Sequence, residues 1–199
     1  MDEIDGRHIE QLVLDESRDS QEKFKSLWEY YYPRLLVYAR SFKEMVESER
    51  QDAVSDILLK AFDNLRKYKP IYSLSTWVYR IARNHIIDLY RKNKKNAPIS
   101  IEELSEQTAL NAANERGGKR NGGRSFVDEI VQNDSIERCR ECIKSLEKQD
   151  QRIIFFRYYE GLNSKEIALI EGMPHNTVRR RLMLSKARIK KLLGDDYEH

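Results

Sequence analysis

Apolar residues recur at steps of three and four over most of the chain, the spacing that lines one face of an α-helix, while alternating strand-like runs are scarce. Phe24, Leu27, Trp28, Tyr31, Leu35, Tyr38 and Phe42 trace the first such stripe. Pro33 lies inside it and cannot donate a helical hydrogen bond, so the stripe belongs either to one kinked helix or to two helices joined there. A second helix is expected to open at Ser48, with Gln51 completing a capping box, and to carry Val54, Ile57, Leu58, Ala61, Phe62 and Leu65 before Pro70 marks a stop. After a loop from Lys69 to Ser73, a third helix turns Val78, Ile81, Ala82, Ile86 and Leu89 inward. Its other face presents Arg80, Arg83, Asn84, Asp88 and Arg91 and runs out into Lys92, Lys94 and Lys95. Three such helices can close a small core, so residues 22–95 read as one domain behind an N-terminal extension over residues 1–21.

The periodicity dissolves over residues 96–134. Within that stretch Asn111 to Ser125 is glycine-rich and charged with no large apolar side chain, the composition of a flexible linker, and Ile99, Ile101 and Leu104 form its one apolar patch. Helical spacing resumes near Ser135 with Ile136, Cys139, Ile143 and Leu146, followed by an apolar helix from about Asp150 to Tyr159 that stops at Gly161. Two capped helices then come in quick succession, one opened by Asn163 with Glu166 and one capped by Asn176. The four residues Glu171-Gly172-Met173-Pro174 between them leave room only for a tight turn, which is the pattern of a helix-turn-helix over residues 163–188. Ala168 lets the two helices approach, Gly172 permits a positive φ, and Val178 and Leu182 anchor the second helix from below. The fold class is therefore all-α: two small helical domains, 22–95 and 135–194, joined by a flexible linker and followed by an acidic tail at 195–199.

Charge sharpens this picture. The net charge is only +3, yet Asn176 to Leu193 carries seven Lys or Arg and no acid, which favours a polyanionic partner. With Val178 and Leu182 inward, Thr177, Arg179, Arg180, Arg181 and Lys186 are expected to face outward near the end of the helix that enters a major groove. In the first domain, Tyr68, Lys69, Tyr72, Trp77 and Tyr79 lie beside Arg80, Arg83, Lys92 and Lys94, and aromatic rings among cations suit single-stranded nucleic acid. Tyr68 and Tyr72, in the loop, are the candidates for exposure, whereas core packing accounts equally well for Trp77 and Tyr79. Asp52 and Asp56 project from one helix face without a catalytic partner nearby in sequence, so a docking surface or simple solvation explains them better than acid-base chemistry.

Several classes are disfavoured. There is no Walker spacing, no HExxH and no nucleophile elbow, and none of His8, His85, His175 and His199 has an evident partner, so no enzyme is read here. Cys139 and Cys142 supply two of the roughly four ligands a zinc site needs, so they are read as structural, with redox sensing as the alternative, and neither metal nor cofactor is expected. Two cysteines, no apolar run of membrane-spanning length and an acidic Met1 to Asp5 point to a reducing cytoplasm without membrane insertion.

The run from Asp52 to Phe62 (DAVSDILLKAF), followed by Ser75 to Asn84 (STWVYRIARN), resembles region 2 of the sigma-70 family, with similarity from the YYPRLL run at Tyr31 to the basic tail near Lys95. The segment from Leu146 through Glu160-Gly161-Leu162, Glu166-Ile167-Ala168 and Thr177-Val178 to Ala187-Arg188 looks like region 4. With nothing resembling region 3 or a long region 1, the likeness is to the extracytoplasmic-function (ECF) group. The resemblance implies a factor that binds core RNA polymerase and directs promoter-specific initiation, with the β′ clamp helices and the β subunit of the polymerase, promoter DNA and an anti-sigma factor as partners. It places Asp52, Asp56, Leu59 and Phe62 on the clamp helices. It places Tyr68, Lys69, Tyr72, Ser73, Trp77, Arg80, Arg83 and Asn84 at the melted −10 element. Asn176, Thr177, Arg179, Arg180, Arg181 and Lys186 fall at the −35 duplex, and the linker threads toward the RNA exit path. Ser55 stands where Gln is common and Glu147 where Pro often follows the Leu, and the linker is longer and richer in glycine than usual. The alternative is a stand-alone helix-turn-helix regulator with residues 22–95 as a sensor or dimerisation domain, which would bind specific duplex DNA without polymerase.

Overall fold

A computed structural model describes residues 6–42, 45–93 and 135–194. The linker patch at Ile99, Ile101 and Leu104, the basic residues Lys94 and Lys95, and the acidic tail lie outside the described residues. The described residues form helices and turns without a strand, and the chain divides into two compact units, one N-terminal and one C-terminal.

In the N-terminal unit, α1 (Gly6–Leu14), α2 (Ser20–Arg40), α3 (Glu47–Asp63) and α4 (Leu74–Asn93) pack together. The apolar stripes read from the sequence meet in the core: Leu27, Tyr31, Leu35 and Tyr38 of α2, Val54, Ile57, Leu58 and Ala61 of α3, and Val78, Ala82 and Ile86 of α4 are all buried. Phe24, Phe42, Phe62, Leu65, Ile81 and Leu89 sit half-buried at its margins. Helix α1, within what reads as a bare extension, joins this core by burying Ile9 and Val13.

Helix α2 begins where Asp19 Oδ1 accepts from the Glu22 N–H at 2.8 Å, and it continues unbroken through Pro33. Pro33 is exposed, so the carbonyl it orphans is not forced into the core, and the residues on either side of it are held by burial. Arg34 braces the same turn, donating from Nη1 to the Tyr30 carbonyl at 2.9 Å while its guanidinium lies over the Tyr30 ring. Helix α3 starts one residue before the expected Ser48, and its cap is Glu49, not Gln51: the Glu49 carboxylate accepts from the Val46 N–H at 3.0 Å. It ends at Asp63, well ahead of Pro70, and a short 3-10 turn over Leu65–Lys67 leads to the loop.

The C-terminal part of the chain forms α5 (Ser135–Lys144), α6 (Lys148–Ile154), α7 (Ser164–Glu171) and α8 (His175–Gly194). Leu146, Ile154 and Ile189 form a buried cluster against which Cys142, Ile143, Tyr158, Leu182 and Leu193 pack. Gln151 ties the α5–α6 turn, donating through Nε2 to the carbonyls of Lys144 and Leu146. The helix expected from Asp150 to Tyr159 is α6 followed by a π-helical turn over Phe155–Tyr159, where the Glu160 N–H reaches back to the Phe155 carbonyl. Gly161, at φ +67°, ends it.

Ile57 of α3 is fully buried, so Ile57→Ala is expected to destabilise the N-terminal unit by about 2 to 5 kcal/mol. Both tryptophans, Trp28 and Trp77, belong to this unit, so urea unfolding followed by tryptophan fluorescence reads it alone. A midpoint equal to that of wild type would remove Ile57 from the core.

Candidate nucleic-acid interface

Three surfaces emerge from these elements. On α3, Asp52, Asp56 and Leu59 form an exposed row at helical spacing, with Asp56 61% and Leu59 49% exposed. Phe62 does not join that row. Its ring packs edge-on against Phe24 with centroids 5.1 Å apart, leaving it half-buried.

Behind the row stands a residue that periodicity left without a partner. His85 of α4 is buried against α3, with Nδ1 facing the Lys60 ammonium and Nε2 3.7 Å from Asp56 Oδ2. An ammonium only donates, so Nδ1 accepts and the imidazole proton sits on Nε2, toward Asp56. Burial, then the charge of Lys60, holds the imidazole below its ordinary value of 6.5, against the opposing pull of Asp56.

The second surface is the loop before α4 and the start of that helix. Tyr68, expected to be exposed, is buried: its hydroxyl lies 2.7 Å from both Glu10 Oε1 and the Tyr72 carbonyl, and its ring packs against Trp77 at 5.5 Å. A phenol ring gains by leaving water once its hydroxyl has acceptors inside. Ser73 is buried too, because its Oγ accepts from the Thr76 N–H and so caps α4. Tyr79 belongs wholly to the core, edge-on to Tyr31 and Tyr38. Lys69 and Asn84 are exposed, and Tyr72, Trp77, Arg80 and Arg83 are half-buried. The loop also offers Ile71, 64% exposed, which sequence reasoning passed over because an isolated apolar loop residue carries no periodic signal.

The third surface is the helix-turn-helix. Asn163 and Glu166 form the expected box: Asn163 Oδ1 accepts from the N–H groups of Lys165 and Glu166, and Glu166 Oε2 accepts from the Asn163 N–H at 3.0 Å. Gly172 takes φ +66° in the turn, and Ile167 and Val178 are buried as anchors. Asn176 is not the cap of α8. The Pro174 carbonyl accepts from the N–H groups of Thr177 and Val178, so the helix starts at His175 and Asn176 projects from its first turn. Asn176, Thr177, Arg179, Arg180 and Lys186 are exposed. Arg181 is not outward as expected: its Nη1 donates to Asp150 Oδ1 at 2.7 Å and lies 3.4 Å from Glu147 Oε2, pinning α8 to the start of α6.

No helix among the described residues is long and apolar enough to cross a membrane. Fold and surface together define an all-helical DNA-binding protein that pairs a helix-turn-helix with a separate helical unit. Residues 27–96 match Sigma-70 region 2, and residues 136–189 match Sigma-70, region 4. The chain belongs to the sigma-70 family, whose members confer promoter-specific transcription initiation. It is 24% identical over 173 residues to RNA polymerase sigma factor YlaC of Bacillus subtilis, covering 86% of this chain and 92% of that one. It is 21% identical over 194 residues to the ECF RNA polymerase sigma factor SigW of the same organism, covering 94% and 97%. Its fold is similar to that of the sigma factor RpoE from Bartonella quintana, solved in complex with the anti-sigma factor NepR, with a TM-score of 0.53 at 18% identity over 87% of this chain and 98% of that one.

The neutral, buried state of His85 makes the N-terminal unit sensitive to acid. Its folded-state pKa lies below 6.5, so the unfolded chain takes up the proton first and stability falls as pH drops through 6.5, levelling beneath the folded-state value. Tryptophan-monitored urea midpoints from about pH 7.5 to about pH 5.5 should decline in wild type and decline less in His85→Gln. Parallel declines would assign the acid sensitivity elsewhere. In the C-terminal unit, Arg181→Ala should cost about 1 to 3 kcal/mol by circular dichroism, whereas Arg179→Ala and Arg180→Ala should leave stability unchanged. Equal effects at the three positions would contradict the Arg181 assignment.

Proposed function

We propose that this sigma factor divides its work among the three surfaces, as an ECF-type factor acting in the cytoplasm on core RNA polymerase and promoter DNA. The observation that carries the reading is the presence, on one chain and in order, of the region 2 and region 4 matches, each folded around its own buried core. A stand-alone regulator would need the second of these and not the first.

Asp52, Asp56 and Leu59 form the docking surface for the β′ clamp helices, an acidic row with an apolar residue at its end, and Phe62 supports it from behind. The loop from Lys69 to Ser73 with Trp77, Arg80, Arg83 and Asn84 meets the unpaired −10 strand. Here Lys69 and the half-buried arginines supply charge along the backbone, while Tyr72 and Ile71 supply surface for bases. Tyr68 and Ser73 shape that loop from inside. Asn176, Thr177, Arg179, Arg180 and Lys186 read the −35 duplex, Arg179 and Arg180 by phosphate or bidentate guanine contacts. The protein acts by binding and positioning. An anti-sigma partner is expected as well, since a structural relative was solved with one.

Arg179→Ala combined with Arg180→Ala should weaken holoenzyme binding to promoter DNA and flatten its salt dependence by about one unit of slope for each phosphate no longer neutralised. An unchanged slope would move the −35 contacts off this helix. Reversing Asp52 and Asp56 to Lys should abolish copurification with core polymerase while the N-terminal unit still unfolds cooperatively in urea. Surviving copurification would reassign that face.

A further inference from the structure

Glu10 stands on α1, outside the residues that match region 2, and it reaches both ends of the −10 loop. Its Oε1 lies 2.7 Å from the Tyr68 hydroxyl, just before the loop, and its Oε2 accepts from the Leu74 N–H at 3.4 Å, where α4 begins. The same Tyr68 hydroxyl is 2.7 Å from the Tyr72 carbonyl, so one carboxylate, one phenol and one peptide group close a ring around residues 69–73. Inside that ring the chain makes a tight turn, with the Ile71 N–H on the Lys69 carbonyl at 2.7 Å, and holds Ile71 out in water. The attachment of α1 to the core does not need Glu10, because Ile9 and Val13 already bury beside it. What the carboxylate adds is an acceptor for the loop's two ends and a negative charge at the amino end of α4, where it is favoured.

We propose that Glu10 is a positioning residue for promoter opening: from the N-terminal helix it clamps loop 69–73 into the shape that meets unpaired DNA. A loop ordered in advance loses less freedom when it binds, so the clamp acts in the step that captures melted bases and not in polymerase docking. The inference rests on the assignment of this loop to the −10 strand.

The test uses full-length protein assembled with core polymerase, on a promoter selected from a randomised DNA pool by the wild-type holoenzyme. Opening is read as permanganate reactivity of thymines in the melted region, and docking as affinity for core polymerase. Glu10→Ala should reduce opening about tenfold with docking unchanged, and Glu10→Gln, which keeps an acceptor oxygen, should restore much of it. Tyr68→Phe should likewise reduce opening with docking unchanged, and the double variant should fall short of the two effects combined, because they share the Tyr68–Glu10 hydrogen bond. Normal opening in Glu10→Ala, or opening and docking that decline together, would overturn the proposal. Ile71→Ser separates it from its foundation: normal opening in that variant removes the loop from the −10 strand, whereas a defect there beside normal Glu10→Ala refutes the clamp alone.

Discussion

The seating of α4 against α2 governs what the N-terminal unit can present, and Tyr79 is where that seating is decided. Its ring is fully buried, edge-on to Tyr31 at 6.4 Å and to Tyr38 at 5.4 Å. Edge-to-face contacts are directional, so they fix rotation about the helix axis as well as depth. The Tyr31 hydroxyl meets Ser75 Oγ at 3.0 Å in the same buried layer, and a buried hydroxyl without a partner would be costly. With Tyr79 and Ser75 held inward, Arg80 and Arg83 are left at the flank of α4 and Asn84 in solvent. The same rotation carries His85 against α3, where it lies between Lys60 and Asp56.

The C-terminal unit solves a related problem with charge. Three consecutive arginines on α8 project at successive angles, so they cannot all do the same thing. Arg181 falls toward α6, where Asp150 and Glu147 receive it, and fixes the orientation of the helix. Arg179 and Arg180 are then exposed by geometry and not by accident of composition. Glu147, a departure from the family pattern at the level of sequence, has a use here as the second acceptor for Arg181 and as the residue preceding α6.

Much of the fold was legible before any coordinates, because it rests on interactions that close within one or two helical turns. The apolar stripes at steps of three and four, the Asn163–Glu166 box and the positive φ of Gly172 are all local, and local chemistry is written in adjacent residues. Cap positions were less legible where backbone groups compete with side chains, so Pro174 and Glu49 took places read for Asn176 and Gln51. The basic face of α8 and the acidic row on α3 were likewise visible as runs of charge.

Tertiary structure alone decided which polar groups converge. Tyr68 meets Glu10 across 58 positions, Arg181 meets Asp150 across 31, and Lys60 meets His85 across 25. Periodicity says which side of a helix faces inward but nothing about which neighbour awaits there. That is why a loop tyrosine assigned to solvent lies buried, an arginine assigned to DNA holds two helices together, and a histidine without a sequence partner sits between two charges.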